Sequence, residues 1–168
     1  MISRLALFEF LRAQKWAVEA SVAANGSPQA AVIGVAIANG FELVFDTMGD
    51  TRKASNLRRD PRIALVLGWD EGQTVQFEGL VDEPGGDELA RLKAVYFAKF
   101  PDGPQRESWP GISYFRVKPV WLRYSDFRGS EPKVLTFDGA SLRDFDEAAA
   151  RVSDPDVGSG DRVTRFLG

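Results

Sequence analysis

Two Asn-Gly pairs, Asn25-Gly26 and Asn39-Gly40, separate three short runs of largely apolar residues, and this punctuation narrows the fold more than any other feature of the chain. Asn and Gly accept the positive φ that tight reversals demand, so the runs on either side read as antiparallel strands. The first, residues 17–23 (AVEASVA), alternates with the period of two that a half-buried strand requires. The second covers residues 29–38 and the third residues 41–47. Together they describe an antiparallel meander.

A fourth strand spans residues 62–69, where IALVLGW is so continuously apolar that it predicts burial on both faces. Gly72 then turns into a fifth, residues 74–81 (TVQFEGLV). There Val75 and Phe77 share one face, Thr74 and Gln76 the other. Residues 113–117 and 120–124 form a last strand region. Pro119 interrupts it and predicts a bulge or an edge, because proline has no N–H for the ladder. Helical spacing marks residues 5–14 and 87–100. Beyond Phe127, residues 134–137 read as a strand, 142–152 as a helix and 154–161 (DPDVGSGD) as a flexible linker. The expected fold class is mainly β, a small antiparallel barrel with flanking helices. It divides into a barrel over residues 1–127 and a partly flexible extension over 128–168. Trp69, Trp109 and Trp121 are expected in the core or at a subunit contact.

One short helix stands inside this β framework, and its charges are unevenly explained. Thr51 caps a segment that opens with Arg52 and Lys53 and closes with Arg58, Arg59 and the stop Asp60-Pro61. Cations at the end of a helix complement its macrodipole. Cations in the first turn oppose it, at about 0.3–1 kcal/mol each. A bound anion reverses that sign, since free N–H groups, a hydroxyl and two cations then converge on it. The pattern points to a phosphate.

Composition narrows the chemistry further. The 168 residues are 44% hydrophobic, enough for one well-buried domain. The net charge of −3, from 21 basic and 24 acidic residues, argues against nucleic acid as a partner. No apolar run is long enough to cross a bilayer and the N-terminus reads as an amphipathic helix, so a cytoplasmic location is expected. There is no cysteine and no histidine. Thiolate nucleophiles, Ser-His-Asp triads and the commonest transition-metal ligands are thereby excluded. A chain this poor in reactive side chains, yet carrying an anion cradle, leans toward an organic cofactor.

The order of elements, together with FDTMGDTRKASNLRRDPRIALVL at residues 45–67, resembles the FMN-binding split barrel of the pyridoxamine 5′-phosphate oxidase-like superfamily. The resemblance covers residues 17–124. It implies that Arg52 and Lys53 grip the FMN phosphate with help from Thr51 and Thr47, and that Asp46 lies beside the ribityl-phosphate. The backbone of Ala31, Val32, Ile33 and Gly34 would run along the isoalloxazine and ribityl chain. Thr74, with Gln76 on the same face, stands where the oxidases often carry a glutamine near the flavin ring.

Two departures qualify the resemblance. Ala31 replaces an arginine of the oxidases, and their histidine-containing C-terminal substrate signature has no counterpart. In that general region Trp121 and Arg123 are the residues with reach toward a flavin, across a dimer. The implied function is an FMN-dependent oxidoreductase acting on a small molecule other than pyridoxamine phosphate. Alternatives are a non-catalytic flavin-binding sensor or stress protein, or a reductase that uses the deazaflavin F420. Haem, bound by some related barrels, is disfavoured by the missing His and Cys. The resemblance also implies a homodimer with the flavin at the seam.

Overall fold

The computed structural model describes residues 2–153; the linker expected at 154–161 lies outside them. Helix α1 (Arg4–Ala13) is capped by Ser3, whose hydroxyl accepts from the Ala6 N–H. Strands β1 (Trp16–Val22) and β2 (Pro28–Gly34) then pair antiparallel. Their connection, residues 23–27, is closed by the Ala23 N–H donating to the Ser27 carbonyl at 2.9 Å, and Gly26 within it carries the positive φ of 84°. The run 29–38, expected as one strand, breaks at Val35 and continues as β3 (Ala36–Ala38). A 3₁₀ turn, Asn39–Phe41, leads into β4 (Glu42–Met48), which pairs with β3. Gly40 is required there. Its φ is 69°, its N–H donates to the Phe145 carbonyl at 2.8 Å, and a Cβ would sit 2.8 Å from the Arg143 carbonyl oxygen.

Helix α2 (Arg52–Arg59), strands β5 (Arg62–Leu67) and β6 (Gln73–Asp82), helices α3 (Gly86–Lys99) and α4 (Gly103–Arg106) and the long strand β7 (Ile112–Asp126) follow. The strand order is β2-β1-β5-β6-β7-β4-β3, and β8 (Lys133–Asp138) also pairs with β7. β2 and β3 therefore stand at opposite ends of the order, yet only Val35 separates them in the chain. A sheet whose two ends are joined by one residue must curl. The Val35 N–H fixes the join by donating to the Lys15 carbonyl at 3.1 Å. The result is a curled antiparallel half-barrel with helices against it.

Pro119 produces the expected bulge. Glu78 pairs with Trp121 and Gly79 with Pro119, which leaves Val120 without a partner. A Cβ on Gly79 would lie 2.4 Å from Val117 Cγ1, so glycine permits the close crossing.

Two apolar clusters hold the molecule. The inner barrel face buries Phe45, Phe77, Phe115 and Leu122 against Phe8 and Leu11 of α1. On the other side Leu92 and Tyr96 of α3, with Phe100 just past its end, pack on Ala36, Val44 and Tyr114. Residues 133–153 add β8 to the sheet, and Leu142 and Phe145 to the first cluster.

Three expectations are corrected. β5 is not buried on both faces: Ile63, Leu65 and Leu67 are inside, but Arg62, Ala64 and Val66 face outward, because no helix among the described residues covers that side. The helix expected over 142–152 is two shorter ones, α5 (Gly139–Arg143) and α6 (Glu147–Ser153). The chain bends between them to place Phe145 against Phe8 and Phe41. Of the two places expected for Trp69 and Trp109, the core is ruled out, since each is about half exposed in the single chain and belongs to neither cluster.

Candidate functional site

The site forms where α2 begins. Thr51 is in extended geometry, and its hydroxyl caps the helix by accepting from the Ala54 N–H at 3.4 Å. The same hydroxyl donates to the Met48 carbonyl at 2.8 Å and lies 3.3 Å from Thr47 Oγ1. Lys53 Nζ donates to Thr47 Oγ1 at 3.4 Å, and neither Lys53 nor Arg52 has a carboxylate partner among the described residues. The N–H groups of Arg52 and Lys53 lie in the first turn, where no intrahelical acceptor exists. Hydroxyl, ammonium, guanidinium and backbone donors thus gather at one helix end.

They form one wall of a cleft of about 470 Å³. The opposite wall is the inward face of β1 and β2, with Glu19 and Ser21 from one strand and Gln29 and Ala31 from the other; Asp50 lies at the rim. The wall is clamped beneath. Buried Asn56 of α2 donates through Nδ2 to Ser21 Oγ at 3.2 Å and to Gln29 Oε1 at 2.9 Å. Glu19 is 1% exposed and its Oε2 has no hydrogen-bond partner among the described residues. Burial pushes its carboxyl up from the usual range, against the opposing pull of the Lys53 charge and the Ser21 hydroxyl.

The residues singled out by the sequence separate into four places. Ala31, Thr47, Thr51, Arg52 and Lys53 come together around the cleft. Ile33 lies in the core at 5% exposure. Val32, Gly34 and Thr74 belong to the outward face of the sheet, where Val32 is 64% exposed. Thr74 is three strands away from β2, about 15 Å at ordinary strand spacing. Gly34 has a packing reason of its own, since a Cβ there would meet the Phe100 ring at 2.7 Å. Asp46 points to the far side of β4. Tyr96 donates its hydroxyl to Asp46 at 2.8 Å, and Arg106 Nε donates at 2.9 Å, so this carboxylate ties α3 and α4 to the sheet. Burial and the Asp46 charge together push the Tyr96 phenol up.

Gln76 also faces outward, in register with Arg123 of β7, whose Nε is buried without a partner. Trp121 pairs with Glu78 on the same strand pair.

Glu19, Ser21, Gln29 and Asn56 were not anticipated. The signal was present in AVEASVA, where Glu19 and Ser21 share the parity of buried Ala17. Polar side chains at inward positions of a strand need partners or a ligand. Among the described residues no cluster of three or more metal-ligating side chains occurs. No helix there is long and apolar enough to cross a membrane.

Residues 5–126 match the family model for pyridoxamine 5′-phosphate oxidase, so the chain belongs to that family. A pyridoxine/pyridoxamine 5′-phosphate oxidase from Burkholderia vietnamiensis is 32% identical over 91 residues, which are 54% of this chain and 41% of that protein. The match thus spans less than half the length of that relative.

Among solved structures, a heme binding protein from Mycobacterium smegmatis superposes with a TM-score of 0.73 at 18% identity, over 85% of this chain and 61% of the other. A pyridoxamine 5′-phosphate oxidase-related, FMN binding protein from Nostoc punctiforme gives 0.58 at 15% identity, over 80% and 84%. These likenesses establish the split-barrel fold.

Proposed function

We propose that the chain binds FMN through its phosphate at the start of α2 and serves as an FMN-dependent oxidoreductase for a small molecule. The observation that carries this reading is the pair Arg52 and Lys53, which lack any carboxylate partner among the described residues and open onto a cleft beside the Thr51 cap. The donor set suits a phosphate monoester: two cations, the Thr47 hydroxyl and first-turn N–H groups, arranged before the anion arrives beside a Thr51 hydroxyl already committed to the Met48 carbonyl. Family membership and the FMN-binding relative agree with it. The bound flavin would supply the redox chemistry by accepting and returning a hydride equivalent. This chain's residues hold the phosphate and present strand backbone at Ala31–Gly34 to the rest of the cofactor.

Reconstitution provides the test. Purified protein titrated with FMN should quench flavin fluorescence to saturation, and the bound flavin should then be reduced by a nicotinamide cofactor and reoxidised by acceptors. Binding without turnover would leave a flavin carrier or sensor. Parallel titrations with F420 and haem resolve the cofactor; preference for either over FMN would overturn the assignment. The chain offers a haem iron no His or Cys ligand.

A homodimer is part of the proposal. Val32, Val18 and Val66 form a cross-strand apolar row on the uncovered outward face, continued by Ala30, Ala20 and Ala64. With Val32 and Leu80 exposed at 64% and 46%, a second copy would bury a continuous patch. Light scattering should give twice the chain mass, and Val32→Glu should give the monomer.

A further inference from the structure

The phosphate reading leaves one resident of the cleft unexplained. Glu19 faces the cations from β1 as a buried carboxyl, where an anion-binding site would be expected to exclude negative charge. Its backbone neighbours give it no counter-ion, since Ala31 stands across from it on β2 and Leu65 on β5. The charged groups facing the same space are Arg52 and Lys53 of α2 and Asp50 at the rim. Oε2 has no donor among the described residues.

An ionised Glu19 would therefore repel a phosphate seated in the cleft and still leave a buried oxygen unsatisfied. A neutral carboxylic acid removes both difficulties, because its O–H can donate to a phosphate oxygen. Burial already favours that form.

We propose that Glu19 is the acid member of the cradle, donating its O–H to the bound phosphate monoester, so that capture of the ligand takes up a proton from solvent wherever the carboxyl is ionised in the empty cleft. This rests on the reading of the cleft as a phosphate site. No bond to phosphorus forms or breaks; one solvent proton ends on the Glu19 carboxyl. The sign follows from linkage: the anion raises the affinity of Glu19 for its proton, so ligand affinity falls as pH rises from the carboxyl's value in the empty cleft to its value in the complex. At its steepest the fall is about tenfold per pH unit. The ligand's own titration runs the other way, since a phosphate monoester becomes a dianion near pH ~6 and should then bind its cations more tightly.

The experiment compares FMN affinity by fluorescence quenching between pH 5.5 and 8.5 for the wild-type protein and Glu19→Gln, with riboflavin as the phosphate-free control. Wild-type affinity for FMN should fall relative to that of Glu19→Gln as pH rises, while Glu19→Gln should hold or gain affinity and bind more tightly than wild type at the alkaline end. Riboflavin should show neither trend. In a second readout, ¹³C NMR of the Glu19 carboxyl should show its titration moving to higher pH on addition of FMN, and in the same direction with inorganic phosphate. A constant offset between wild type and variant at every pH, with no movement of the carboxyl signal, would overturn the proposal while FMN binding itself stood. Failure of both proteins to bind FMN or phosphate would instead remove the reading beneath it.

Discussion

The two ends of α2 carry the same kind of charge and do opposite things with it. At the C-terminal end Arg58 is committed within the chain. It donates to both oxygens of Glu83 at 2.6 and 2.9 Å, to the Gly49 carbonyl at 2.6 Å and to Ser113 Oγ at 3.1 Å. Arg59 reaches the Val22 carbonyl and the Asn56 side chain. At the N-terminal end Arg52 has no partner among the described residues and Lys53 has a single hydroxyl. Charge density alone does not separate a structural cation from a binding one. Pairing does, and the macrodipole explains why: the satisfied arginines sit where the helix favours them, the unsatisfied pair where it does not.

Substitutions at the two ends should break in different assays. Arg52→Ala/Lys53→Ala should weaken FMN binding about 100-fold or more, given about 1.5–3 kcal/mol for each hydrogen bond to a charged group. Its melting temperature should stay near wild type, because no intramolecular ion pair is lost. Equal loss of stability and affinity would show that the pair is structural after all.

Asn56→Ala removes the clamp between α2 and the β1–β2 wall and leaves Ser21 and Gln29 without their donor. It should cost about 2 kcal/mol in urea unfolding, with a smaller effect on affinity. Arg58→Ala should cost about 1 kcal/mol, since both Arg58 and Glu83 are partly exposed, and should leave FMN affinity unchanged.

The smallest effect concerns acid. Arg58 holds the Glu83 carboxyl below its ordinary value, so that pair contributes above about pH 4.3 and is lost as pH falls through the depressed value. Stability curves of wild type and Arg58→Ala should therefore converge on acidification. A gap that persists at pH 2 would assign the cost to Gly49 and Ser113 instead.

The sequence displayed some of this architecture plainly and concealed the rest for physical reasons. Asn-Gly pairs, Pro119 and the Thr51 cap act through local backbone geometry, so their consequences could be read directly. The break at Val35 is a tertiary event, set by closure of the sheet on itself and invisible to a period-two pattern. IALVLGW looked doubly buried because an uncovered apolar face and a covered one have the same composition. Thr47 and Asp46 are neighbours in the chain, yet strand alternation sends Thr47 to the cleft and Asp46 to Tyr96 and Arg106. Glu19 was legible by parity, since it shares the inward positions of a strand with Ala17 and Ser21. Its meaning required the helix that the fold lays across it.

Discrimination between FMN and riboflavin by the wild-type protein and by Arg52→Ala/Lys53→Ala tests the central claim most directly, because the two ligands differ only by the phosphate. The wild-type protein should prefer FMN by about two orders of magnitude, and the double variant should bind the two nearly alike. An undiminished preference in the variant would mean that the phosphate is held elsewhere, and that the cations opening α2 are solvated bystanders.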